Sequence, residues 1–150
     1  MIGNILPTEA CAVVATIDPD AYTAATTVSD YADMGQFESV MFIVSVGTMA
    51  STATLDAVVQ QATDASGTGA KNLTSSKAIT QLTEAGGDSD KQVIINVRAE
   101  DLDLSNGFSH VALSVTGATA ASDYGVVALG FNARTMPASD NDLASVAEIV

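Results

Sequence analysis

Phe37-Glu38-Ser39-Val40-Met41-Phe42-Ile43-Val44-Ser45-Val46, stopped by Gly47, is the stretch on which the fold class turns. It is dense in Val, Ile and Phe and bounded by a turn residue, the pattern of a central strand buried on both faces. The segments downstream repeat the β signal with a wet face added. In Ala53–Thr63, Leu55, Ala57 and Val59 alternate against Thr54, Asp56 and Gln60, which predicts a half-buried strand. Lys91–Ala99 sets Val93, Ile95 and Val97 against Gln92, Asn96 and Arg98; Phe108–Thr116 aligns Val111, Leu113 and Val115; Tyr124–Arg134 brings Val127, Leu129 and Phe131 to one side.

The punctuation between these runs is that of an antiparallel β protein. Asp64-Ala65-Ser66-Gly67-Thr68-Gly69 is a loop, a shorter strand lies around Lys77–Leu82, and Glu84-Ala85-Gly86-Gly87-Asp88-Ser89-Asp90 is a turn cluster. Asn106-Gly107 favours positive φ in a tight turn. Six strands with no sustained helical period predict an all-β fold, an antiparallel β-sandwich of jelly-roll type, with an immunoglobulin-like Greek key as its rival. Residues 1–35 read as an extended N-terminal arm and first strand, broken by Pro7 and Asp18-Pro19-Asp20, although Ala10–Val14 has the makings of a short strand. Residues 36–135 are the expected sandwich core and residues 136–150 a C-terminal tail.

The 150 residues suffice for one domain, which at this size buries roughly 68–70% of the surface its unfolded chain exposes. Hydrophobic residues make up 47% of the chain and charged residues 15%, more apolar surface than one thin core of Ala and Val needs, so part of the surplus is expected at interfaces. Eighteen acids against five bases give a charge of −13. That field repels phosphates and anionic membranes, so neither nucleic acid nor membrane is an expected partner. No run reaches the ~18 apolar residues of a membrane helix, and the start of the chain lacks the basic residues of a secretory signal; a soluble protein made in the cytosol is the expectation. Cys11 stands alone, so packing must hold the fold.

Candidate chemistry is sparse. His110, the only histidine, is opposite in parity to Val111, Leu113 and Val115, which places it toward solvent or an interface, and no G-x-S-x-G elbow accompanies it. The D-x-D pairs Asp18/Asp20, Asp88/Asp90, Asp101/Asp103 and Asp140/Asp142 have spacing that suits a hard cation. None extends into a calcium loop, and Asp is common in turns because it hydrogen-bonds its own backbone. Gly67-Thr68-Gly69-Ala70-Lys71 departs from the phosphate-loop pattern. Asn72-Leu73-Thr74 matches a glycosylation sequon, which matters only in a secreted eukaryotic protein. No cofactor, metal or catalytic residue is expected, and the chain reads as a non-enzyme. The two arginines, Arg98 and Arg134, are expected to pair with carboxylates.

Ala53–Asp56, Gln60–Lys71, Ile79–Thr83 and Ala85–Lys91, with the approach Ser29–Met34, resemble small virion proteins of tailed bacteriophages over roughly residues 20–135. Several such proteins look like capsid cement or decoration proteins, jelly-roll modules on the outer surface of the head shell, often trimeric. The resemblance implies a partner in the major capsid protein, a homotrimer, and a place on the outside of the virion, where the protein stabilises contacts between shell subunits. Other virion roles, such as a head fibre, spike base or tail protein, share this style. A carbohydrate-binding adhesin is the reading from a different class, although sugar sites favour aromatic platforms and the chain has no Trp and only Tyr22, Tyr31 and Tyr124. No site residue is transferred by resemblance. For the interface itself the arm is the candidate: Ile2, Ile5, Leu6, Val13 and Val14 are apolar residues that an extended segment could bury in a neighbour's groove or add to its sheet edge.

Overall fold

The computed structural model describes residues 4–73 and 77–150. After a short helical turn at Pro7–Ala10, ten strands follow: β1 Cys11–Tyr22, β2 Thr26–Val28, β3 Ala32–Asp33, β4 Phe37–Met49, β5 Thr54–Ala62, β6 Lys71–Asn72, β7 Leu82–Thr83, β8 Gln92–Arg98, β9 His110–Ala118 and β10 Ser122–Ala133. They form two antiparallel sheets. The first has the order β1-β10-β4-β8; the second runs β2-β9-β5-β6, with β3 also on β9 and β7 also on β5.

The pairings are nested: β1 with β10, β2 and β3 with β9, β4 with β8, and β5 with β6 and β7. A long hairpin rolled up on itself gives this arrangement, which is the jelly roll. The two sheets close on a core that includes Phe42, Val44, Leu55, Val59, Leu113, Val115 and Val126, each with 1% or less of its surface exposed. In β5 the expected alternation holds, with Leu55, Ala57 and Val59 buried between half-exposed Thr54, Asp56 and Gln60.

Three expectations are corrected. The sandwich begins at Cys11, not residue 36: β1 pairs with β10 along its length, from Cys11 opposite Phe131 to Tyr22 opposite Ser122. Register shifts between Val13 and Ala15 and between Ile17 and Asp20 are β-bulges, which re-aim successive side chains. They let Ala12, Val14, Ala15 and Ile17 all turn inward, a pattern that simple alternation would not produce. Second, β4 is buried on one face only: Val40, Phe42, Val44 and Val46 point into the core, and Met41 and Ile43 remain half-exposed on the other side. Third, the Lys77–Leu82 strand reduces to a single bridge, Val58 to Ala78, before β7. At Gly107 the expected positive φ is present, 82°, closing a 3-10 turn over Leu104–Asn106.

Residues 136–150 strap the outer edge of β1. Leu143 N–H donates to the Val13 carbonyl (2.9 Å) and Val13 N–H donates to Asp142 Oδ1 (2.7 Å). Further along, Thr16 N–H donates to Asp30 Oδ2 (3.0 Å). Carboxylates thus occupy donors that an edge strand would otherwise offer to another chain.

Candidate interaction surface

Alternation along a strand sends every second side chain to the face away from the core, and the two outer faces differ in chemistry. On the second sheet the outer face carries Thr26, Thr116, Asp56 and Gln60, and its polar groups satisfy one another: Thr26 and Thr116 hydroxyls lie 2.9 Å apart, and Gln81 Nε2 donates to Asp56 Oδ2 (2.6 Å). On the first sheet the register aligns Thr16, Val127, Ile43 and Ile94 in one row and Val13, Leu129, Met41 and Asn96 in the next. Cys11, Phe131, Ser39 and Arg98 follow, and Gly125, Ser45 and Gln92 close the other end.

The middle of this face is therefore aliphatic on β10 and β4, extended by Ile94 of β8 in one row and Val13 of β1 in the next, with Thr16 and Asn96 as the polar ends of those rows. Ile94 is 58% and Val127 42% exposed, so among the described residues no second layer covers it. Contiguous apolar surface of this kind, rimmed by polar residues, marks a protein interface more often than a free surface. The run of consecutive apolar residues in β4, Val93-Ile94-Ile95 in β8 and Val126-Val127-Ala128-Leu129 in β10 carried the signal in the sequence. Both parities are apolar because one faces the core and the other faces outward.

An open depression flanks each end of the face. One, of about 860 Å³, is bordered by Pro19, Ile43, Gly47, Asp123, Gly125 and Val127. Gly125 suits the close crossing of β1 there: a Cβ would stand 3.0 Å from Pro19 Cα, so a larger residue would push the two strands apart by a few tenths of an ångström. This end is acidic, carrying Asp18, Asp20 and Asp123. Burial, then the charges of Asp20 and Asp18, push the neighbouring Tyr22 phenol above its ordinary 10.0. The other depression, of about 1240 Å³, is bordered by Ile5, Glu38, Arg98, Phe131, Arg134 and Met136. Both arginines of the chain thus sit at the same end. Arg98 pairs with Glu100 at 3.1 Å; Arg134 makes no ion pair among the described residues.

The residues proposed for the arm separate. Val13 is half-buried on the apolar face, opposite Leu129. Val14 points into the core, 6% exposed, and is unavailable to a partner. Leu6 is 65% exposed beside the helical turn, and Ile5 is half-buried in the arginine-bearing depression. Ile2 lies outside the described residues, as does Thr74 of the sequon.

Two of the turn carboxylates are engaged in local structure. Asp88 accepts from Thr83 N–H and Lys91 Nζ, and Asp103 from Lys71 Nζ, Ser105 and Asn106. These hydrogen bonds hold both carboxyls below their ordinary value of 3.8. Among the described residues no three His, Cys, Asp or Glu side chains converge as metal ligands would. His110 is half-buried at the start of β9, its Nδ1 2.8 Å from Ser109 Oγ. Tyr124 stacks on Tyr22 at 4.5 Å between centroids but is itself 2% exposed, so the pair does not offer two open rings to a sugar.

The sequence matches no protein-family model and no curated protein. Among solved structures, it is similar to a chain of infectious bursal disease virus, Gt strain, at 8% identity and TM-score 0.43; the likeness covers 86% of this chain and 35% of that one. A chain of broad bean stain virus gives 9% identity and TM-score 0.38, over 91% and 93% of the two chains. The CBM22-1–GH10 modules of Clostridium thermocellum xylanase 10B, complexed with xylohexaose, give 13% and 0.40, over 85% and 28%. The chain spans about a third of the length of the first of these.

Proposed function

We propose that this chain is a non-enzymatic structural protein of a tailed-phage particle, a capsid cement protein that holds to the outside of the head shell and ties major capsid protein subunits together. The observation that carries the reading is the uncovered aliphatic face of the first sheet. An apolar sheet face exposed in this way supports a protein built to adhere. The resemblance of residues 20–135 to phage virion proteins supplies the setting.

Cementing needs several modest contacts acting together, because linked contacts bind far more tightly than each alone. The chain has more than one such patch: the apolar face, and the half-buried Ile5 with the exposed Leu6, which are assigned to the shell contact. Quantitative mass spectrometry of purified particles of the phage that encodes the chain tests this. The expected result is many copies per particle in fixed ratio to the shell subunit. Absence from particles, or a handful of copies, overturns the cement role.

A further inference from the structure

We infer that the aliphatic face of the first sheet seats a second copy of this chain, stacked sheet on sheet with strands antiparallel about a two-fold axis lying in the interface and crossing the strands. The inference rests on the reading that the protein works by binding protein surfaces, and it names the partner of this one.

Symmetry is the first argument. A two-fold axis across the strands lays each strand over its own copy with the ends exchanged, and an isologous contact of this kind requires a self-complementary patch. The rows Val127–Ile43–Ile94 and Leu129–Met41 lie at the middle of the face, so the exchange sets aliphatic residues on aliphatic residues. Along β10 it sets Arg134 of one copy near Asp123 of the other. Arg134 makes no ion pair among the described residues, and Asp123 is exposed at the acidic end. Stacking with strands parallel, about an axis along the strands, would instead gather the acidic ends of both copies, with Asp18, Asp20 and Asp123, at one end of the dimer and leave Arg134 far from Asp123, which like-charge repulsion disfavours.

Area is the second argument. Four strands spaced about 4.8 Å span about 19 Å. The paired stretch Ser39–Ser45 runs about 23 Å at roughly 3.3 Å per residue. Two such flat faces bury on the order of 900 Å², just short of the roughly 1,000 Å² where specific interfaces begin, and side-chain relief and the two end depressions add to that figure. Sheets pack face to face at about 10 Å with strands within about 30° of alignment, the geometry that aliphatic side chains of this size fill.

Sedimentation equilibrium of the full chain tests the proposal. The wild type is expected at twice the 15.2 kDa protomer mass. Ile43→Glu places a charge at the centre of the face and is expected to weaken the dimer by about a hundredfold with an unchanged circular dichroism spectrum. Should it fail to fold, Ile94→Glu on the edge strand, where the side chain is more exposed, makes the same test. Arg134→Glu is expected to weaken association about tenfold, and adding Asp123→Arg to it to restore the wild-type constant. A monomer at all concentrations, or the homotrimer that the phage resemblance implies, overturns the proposal, as does a dimer indifferent to both glutamates on the face. An Arg134→Glu dimer of wild-type strength overturns the antiparallel arrangement. A photo-crosslinker at position 127 should join two copies of this chain in particles; crosslinks to shell subunits alone overturn the assigned partner. A monomer present in many copies per particle would sink the dimer and leave the cement role standing; a dimer absent from particles would do the reverse.

Discussion

Asp142 holds a position from which the role of the C-terminal strap can be measured. Its Oδ1 accepts the Val13 N–H at 2.7 Å, and the next residue, Leu143, returns a bond to the Val13 carbonyl at 2.9 Å. Asp142→Ala removes the acceptor and leaves an edge-strand donor unpaired. A bond to an ionised acceptor contributes about 1.5–3 kcal/mol. The site is half-buried, so water recovers part of this and the expected loss is about 1–2 kcal/mol. For a chain of 150 residues, each kcal/mol lowers Tm by about 2–4 °C, so calorimetry should show a fall of roughly 2–8 °C. Asp142→Asn keeps an oxygen in place without the charge and should lose less. Hydrogen exchange supplies the local readout: the Val13 amide should exchange faster in Asp142→Ala while amides of β4 and β9 keep their protection. An Asp142→Ala protein that melts within about 1 °C of wild type, with Val13 still protected, would refute the idea that the tail closes this edge.

Two further outcomes follow from the core and the turns. Phe42 is fully buried, and Phe42→Ala should cost about 3–5 kcal/mol by lost transfer energy plus the cavity left behind, seen as a lower urea midpoint at unchanged slope. The carboxyls of Asp64, Asp88 and Asp103 are held below 3.8 by hydrogen bonds to Thr68, Thr83 and Asn106 respectively, in each case the largest cause. Because the folded values lie below the unfolded ones, their stabilisation is complete above about pH 4 and is lost as pH falls from 3.8 through the lowered values. A Tm series from about pH 5 to pH 3 should therefore fall less steeply in Asp103→Asn than in wild type; identical slopes would count against the assignment.

Much of the fold was legible because strand alternation is a local property. In β5 and β8 the core-facing residues could be named from parity alone: polar Thr54, Asp56, Gln92 and Asn96 marked the wet side. In β10 parity was ambiguous. Val127, Leu129 and Phe131 share a side, but so do Tyr124, Val126 and Ala128, and it is the latter set that the second sheet buries. β1 was harder still, because Asp18-Pro19-Asp20 and the Thr/Ala-rich stretch beyond it carry no strand signal, and the bulges that turn both Val14 and Ala15 inward exist only against β10.

By itself the sequence determined that the chain is a β protein punctuated by Gly, Asn and Asp turns, that its charge repels phosphates, and that it carries more apolar side chains than one core needs. Those facts depend on composition and on neighbours one or two residues apart. Which apolar side chains are surplus, where the arginines gather, and that the tail seals β1 were decided by the tertiary structure. The physical reason is that burial is a relation between residues distant along the chain: Ile43 and Phe42 are adjacent in sequence, and only the arrival of β5 and β9 on one side of β4 makes the second a core residue and leaves the first for a partner.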